Sequence, residues 1–196
     1  MKKKILLLDV MSTLVYDPFF IEVPKMFGMS LQDLLKDKNP TSWLRFERNE
    51  ISEQQFFAQF FGDGRLIDGQ KMKNCMQESY RYLAGIESLL TELKQAEIPM
   101  YTLSNYPHWY KLIEQKLQLS RYVEWKFVSC DMGVRKPDPQ AYLIPISTLG
   151  VAASDCIFVD DRGENCKAAV SVGMAAIKFQ NAAQLREQLV LQGVLS

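Results

Sequence analysis

The sequence predicts an α/β protein: a Rossmann-like core on a five-stranded parallel sheet, with a small α-helical module inserted near its start. Three observations predict it. Residues 5–9, 98–103, 125–129, 156–159 and 175–179 are short apolar runs of strand length, as expected for strands buried on both faces. Segments with helical spacing alternate with the last four, which argues for a parallel sheet covered on both sides. A long stretch of different composition, 15–83, separates the first run from the rest.

Each element has its own justification. In 109–119, Leu112, Ile113, Lys116 and Leu117 recur at offsets of three and four. The 139–149 helix follows Asp138, read as its N-cap, with Pro139 at the first helical position. The 163–172 helix stops at Gly173; 181–191 opens on the capping residue Asn181 and stops before Gly193. Within 15–83, four short helical pieces are expected at 31–35, 43–46, 56–61 and 72–82. Eight of the eleven phenylalanines fall in this stretch. A structureless loop of that length is improbable in a compact domain. The stretch therefore reads as a cap over the strand ends with its own aromatic core, while 1–14 and 84–196 form the α/β core.

Bulk properties limit the partners. The 196 residues carry 23 basic and 23 acidic side chains, with 47% apolar and 23% charged residues. No global field draws such a chain to nucleic acid or membrane, so a small-molecule partner is expected, with the chain a monomer or homodimer. Four apolar residues between Lys4 and Asp9 are too few for a signal-peptide core. Cys75, Cys130, Cys156 and Cys166 show no Cys-x-x-Cys spacing and read as reduced thiols. The expected location is cytoplasmic, or the plastid stroma if a transit peptide has been removed.

Four separated elements carry chemistry: Asp9-Val10-Met11-Ser12-Thr13-Leu14, Leu103-Ser104-Asn105, Arg135-Lys136-Pro137-Asp138-Pro139, and Phe158-Val159-Asp160-Asp161-Arg162-Gly163-Glu164-Asn165. All would lie beyond the carboxyl ends of strands, where ligands of parallel sheets bind. A carboxylate at Asp9 can attack phosphorus and split a hydrolysis into two easier steps. Repulsion between that carboxylate and a phosphoryl group calls for cations. Mg²⁺ held by Asp9, Asp161 and the Met11 backbone carbonyl, with Asp160 in or near its shell, would shield it. Lys136 adds a compact positive charge. Ser104 and backbone N–H groups after Asp9 would hold the remaining oxygens.

These four elements, in this order, resemble the haloacid dehalogenase (HAD) superfamily with a small helical cap after the first motif. The resemblance implies a phosphatase with Asp9, Lys136 and Ser104 as catalytic residues. It also implies substrate contacts from Ser12, Thr13 and Asn105, and a metal site of Asp9, the Met11 carbonyl, Asp160 and Asp161. Asp17-Pro18-Phe19-Phe20, Val23-Pro24, Phe27-Gly28-Met29-Ser30, Ser104-Asn105-Tyr106-Pro107 and Lys116-Leu117 are similar to the plastid flavin mononucleotide (FMN) hydrolases of plants. That likeness implies a small phosphorylated metabolite, FMN, as substrate.

Met11 departs from the pattern. Most HAD phosphatases carry there an Asp that protonates the leaving group, work a thioether cannot do. Ser12, Asp17 or a metal-bound water are candidate replacements; an easier leaving group, or a fold kept only to bind a phosphometabolite, are the alternatives. Dehalogenases of the superfamily also lack that Asp, but they replace the acids that Asp160 and Asp161 retain here. Phosphonate hydrolases use a cap lysine, for which Lys25, Lys36 and Lys38 are candidates. Of the aromatics, one or two of Tyr16, Phe19, Trp43 and Tyr106 are expected to face the ligand. His108, the sole histidine, reads as a helix-start surface residue, with a catalytic base as the alternative because it lies just after Ser104-Asn105.

Overall fold

The computed structural model describes residues 3–196; Met1 and Lys2, which the sequence reading assigns to the core segment 1–14, lie outside the described residues. Five strands form: β1 (Ile5–Leu8), β2 (Met100–Ser104), β3 (Glu124–Val128), β4 (Cys156–Asp160) and β5 (Ala175–Lys178). Each coincides with a predicted apolar run to within two residues. They make one parallel sheet in the order β3-β2-β1-β4-β5. Every residue of β1 and β4 is buried, whereas edge strand β3 exposes Glu124 and Lys126. The centre of the sheet is apolar on both faces because both are covered.

Between β1 and β2 the chain makes a 3-10 turn at Pro18–Phe20 and five short helices: α1 (Glu22–Phe27), α2 (Leu31–Asp37), α3 (Ser42–Phe46), α4 (Glu53–Ala58) and α5 (Gly69–Ser79). The sequence predicts four helical pieces; α1 is the addition. Its Pro24 lies in the first turn, where a missing N–H costs no helical hydrogen bond. Gly28 ends α1 at φ 66°, a left-handed position suited to glycine. At the start of α4, Ser52 and Gln55 form a reciprocal capping box. Helix α6 (Ile86–Gln95) then carries the chain to β2, burying Ile86, Leu89, Leu90 and Leu93 at helical spacing.

The remaining helices are α7 (Tyr110–Leu117), α8 (Ser129–Met132), α9 (Gln140–Leu149), α10 (Gly163–Ser171) and α11 (Ala182–Leu191). Helix α9 begins one residue later than predicted, with Pro139 at the cap and the Asp138 carboxylate accepting the Gln140 N–H at 2.9 Å. Asn181 caps α11 through the Gln184 N–H, as predicted. None of the described helices is long and apolar enough to cross a membrane.

Two apolar clusters sandwich the sheet. Leu7 of β1 packs with Leu103, Tyr142 and Phe158 on one face. On the other face Leu6 and Leu8 belong to a cluster that runs on through Leu34, Phe56, Met72 and Trp109. The helical segment was thus not left to close on itself: Phe46, Phe56 and Trp43 pack around Trp109, with ring centroids 5.5, 5.7 and 6.0 Å away. A residue just beyond β2 completes the aromatic core predicted for 15–83.

Candidate active site

Asp9 directly follows β1, in the middle of the sheet. Its N–H donates to the Val159 carbonyl at 2.9 Å, which ties it to β4. The Thr13 hydroxyl donates to Oδ2 at 3.1 Å and the Lys136 ammonium to Oδ1 at 2.7 Å. Thr13 is fully buried; it grips Asp9 from beneath, where the resemblance implies a substrate contact.

Lys136 lies in the loop before α9, and Asn105 clamps that loop. The Asn105 amide accepts the Lys136 N–H at 2.8 Å and donates to the Lys136 carbonyl at 2.9 Å. The buried Lys136 ammonium places its three protons on Asp9, on Asp160 Oδ2 at 2.7 Å and on the Leu103 carbonyl at 2.6 Å. Asp160 is equally occupied. Its Oδ1 accepts the Arg162 N–H at 2.8 Å, and both oxygens accept the Asn165 amide at 3.0 Å. The carboxylate oxygens of Asp9, Asp160 and Asp161 approach to within 4.8 Å of one another. Asp160 therefore sits in the acid cluster with its lone pairs committed to Lys136, Asn165 and the backbone.

The electrostatics follow from burial. Desolvation pushes the Asp9 carboxyl up to about 7, with Lys136 pulling down and Asp160 and Asp161 pushing up. Burial and the Asp160 charge also raise Asp161. Burial would lower Lys136, but the carboxylates of Asp9 and Asp160 outweigh it and hold the ammonium above its ordinary value. Three carboxylates around one ammonium leave an excess of negative charge in a low-dielectric floor, a donor set that fits a divalent cation.

Above this floor lies a cavity of about 650 Å³, within the range of small-molecule sites. Asp9, Met11, Ser12, Asn105, Lys136 and Asp161 reach it from below, and Phe19, Trp43, Phe56, Phe60, Met76 and Tyr106 form its apolar side. Ser12 holds a left-handed φ of 60° and gives its N–H to Val15 at 2.8 Å. The Thr13 and Leu14 N–H groups go to Val10. Those three N–H groups turn the chain at the strand end, and are not directed at a ligand as the sequence leads one to expect. Ser104 is enclosed at the end of β2, off the cavity wall, and its buried hydroxyl has no hydrogen-bond partner among the described residues.

Among the four aromatics named from sequence, Phe19, Trp43 and Tyr106 face the cavity; Tyr16 instead stacks under the Arg81 guanidinium, 3.5 Å away. Of the three candidate lysines only Lys38 lines the cavity, and burial lowers its pKa. His108 is off the wall, with its Nδ1 3.6 Å from Cys130 Sγ and 3.8 Å from Asp131. Glu47 and Arg135 also line the cavity and pair with each other, and Ser129 donates to the Glu47 carbonyl at 2.6 Å. Sequence reasoning gives neither residue a role: Glu47 follows an amphipathic stretch like any solvated acid, and its partner is 88 positions away.

A buried lysine among aspartates, beyond the central strands of an open parallel sheet, defines a class of α/β protein whose chemistry gathers at one carboxylate. The comparisons with known proteins name the family. The profile of the haloacid dehalogenase-like hydrolases matches residues 32–173. The chain is 45% identical over 193 residues to flavin mononucleotide hydrolase 1 from the chloroplast of Arabidopsis thaliana, covering 98% of this chain and 79% of that protein. It is 30% identical over 154 residues to the sesquiterpene phosphatase astK of Aspergillus oryzae, covering 76% and 78%. The protein belongs to the haloacid dehalogenase-like hydrolases. Its fold matches a HAD family enzyme of Bacteroides thetaiotaomicron solved with magnesium and inorganic phosphate, with a TM-score of 0.73 at 20% identity over 92% of this chain and 96% of the other.

Proposed function

We propose that this hydrolase is a phosphatase that cleaves FMN to riboflavin and phosphate, with Asp9 as nucleophile and Mg²⁺ as cofactor. The observation that carries the phosphoryl chemistry is the crowding of Asp9, Asp160 and Asp161 around Lys136. Such buried acids are costly unless a cation joins them. Asp9, Asp161 and the Met11 carbonyl would hold Mg²⁺, which when bound supplies positive charge against the phosphoryl oxygens. Asp160 acts through Lys136, fixing the ammonium that orients Asp9. For Ser104 to hold a phosphoryl oxygen beside Asp9, substrate binding would have to open its enclosed, unpartnered hydroxyl to the cavity. Asn105 fixes the Lys136 loop, and Ser12 lies near enough to the floor to contact substrate.

The helical segment 15–83 serves as the cap over a core of 1–14 and 84–196. Its aromatic side suits a flat ring system, and the polar floor suits the phosphate at the other end. The 45% identity to an FMN hydrolase supports this substrate. That relative's chloroplast origin supports action in the plastid stroma, with the cytoplasm as the other compartment. A different phosphorylated metabolite with an easier leaving group is the competing reading, favoured by Met11.

Phosphate release from FMN with Mg²⁺, compared between wild type and Asp9→Asn, tests the proposal. The variant is expected to lose roughly 10⁴-fold or more in turnover. Wild-type turnover of an aryl phosphate but not of FMN would remove the substrate. FMN binding without Asp9-dependent turnover would reduce the protein to a binding module.

A further inference from the structure

Met11 leaves the reaction without its customary proton donor, and the cavity holds a carboxyl group that the proposed chemistry has not used. Asp17 follows the turn after Asp9 and lines the same cavity as Asp9, Met11 and Asp161. Its Oδ1 accepts the Phe19 N–H at 2.9 Å, which fixes the side chain as the cap of the Pro18–Phe20 turn. Among the described residues, no hydrogen bond reaches Oδ2 and no lysine or arginine pairs with this carboxylate. Ser12, the other side-chain candidate, carries a hydroxyl far too weak as an acid to exchange a proton near neutral pH.

We infer that Asp17 is the general acid and base of this enzyme, taking over the work of the aspartate that Met11 replaces. The inference rests on the phosphatase reading given above. In the first step Asp9 Oδ bonds to phosphorus while the phosphorus–oxygen bond to the leaving group breaks. The leaving oxygen keeps the electron pair and takes the proton of the Asp17 carboxyl, departing as an alcohol. In the second step the Asp17 carboxylate takes a proton from water as that water's oxygen bonds to phosphorus. The bond to Asp9 breaks, Asp9 is again a carboxylate, phosphate leaves, and Asp17 is again protonated.

The surroundings favour a carboxyl that can hold a proton near neutrality. Burial pushes Asp17 up to about 6, the Phe19 N–H opposes the rise, and Asp161 adds to it. Two further titratable groups face it: the Tyr80 and Tyr106 hydroxyls, bonded to each other at 2.8 Å and held neutral by burial, with Asp17 reinforcing the rise. These come from the end of α5 and the β2–α7 loop, so Asp17 sits where cap and core meet.

The test separates proton donation from a structural role by changing the leaving group. Asp17→Asn keeps an oxygen to cap the turn and removes the exchangeable proton. Turnover of FMN, whose leaving group is a poor alkoxide, should fall about 10²–10⁴-fold. Single-turnover release of para-nitrophenol from its phosphate ester, which needs no proton, should change less than about tenfold. Met11→Asp added to Asp17→Asn should recover FMN turnover, which a merely structural defect would not permit. Equal losses in FMN turnover and para-nitrophenol release, or undiminished FMN turnover, would overturn the role of Asp17 alone. Absence of Asp9-dependent turnover of either ester in the wild type would overturn the phosphatase reading and this role with it.

Discussion

The floor and the roof of the cavity are built on opposite principles. The floor is ionic: Lys136, itself 1% exposed, is bonded to Asp9, Asp160 and the Leu103 carbonyl from three strand ends. The roof is aromatic, with Phe46 and Phe56 stacked at 4.7 Å and Trp43 edge-on to Tyr106 at 5.6 Å. Strands hold the floor through ladders and directed hydrogen bonds, so its atoms are fixed before a ligand arrives. The roof rests on short helices and non-directional packing, with a few polar ties to the core such as Arg135–Glu47 and Tyr80–Tyr106. Fixed charge suits a reaction that is always the same, and an adaptable apolar roof suits the choice of substrate.

The largest break in this contrast should come from Lys136→Ala. It strands two buried carboxylates, and removal of one partner from a buried pair costs about 3–5 kcal/mol. Urea unfolding without metal should show that loss, and added Mg²⁺ should recover part of it.

A smaller effect of opposite sign is expected from Asp17→Asn. The folded state raises the Asp17 carboxyl from its ordinary 3.8 to about 6, chiefly by burial. The folded protein therefore binds this proton more tightly than the unfolded chain. That contribution is complete below about pH 4 and is lost as the pH rises through 6. Above pH 6 the variant should be the more stable by at most about 3 kcal/mol, at 1.36 kcal/mol per unit. Below pH 4 the two should converge. Thermal melts of both proteins across this range supply the check, and taking their difference cancels other acids such as Asp9. A variant that is more stable yet slower would place Asp17 with the floor in function, although the helical segment 15–83 carries it.

The smallest change sharpens the roof. Trp43→Leu should raise KM for FMN about 2–10-fold with kcat nearly unchanged, since an aromatic pair adds about 0.5–1.5 kcal/mol. A fall in kcat instead would mean that Trp43 also positions the floor.

Legibility in the sequence divides along the same line. The strands were readable because burial on both faces leaves unbroken apolar runs, as in Ile5–Leu8 and Cys156–Asp160. Acids at the ends of those runs were readable too, since strand ends must meet on one side of a parallel sheet. Helix α1 was hidden by its proline. The ties Arg135–Glu47 and Trp109–Glu53 were hidden by separations of 88 and 56 residues. No local pattern records which helix face will meet a loop so far along the chain.

The sequence by itself determined the α/β alternation, the place of the helical segment and the identity of the charged groups at the strand ends. Local periodicity and strand-end chemistry are enough for that. Only the tertiary structure decided how those groups are used: Asp160 committed to Lys136, Thr13 to Asp9, and Asn105 to the loop that carries Lys136. It alone set Asp17 on the cavity wall near Asp161, with Tyr16 turned away and Phe19 turned in. Hydrogen bonds and burial are properties of neighbours in space, and for these residues the decisive neighbours come from other parts of the chain.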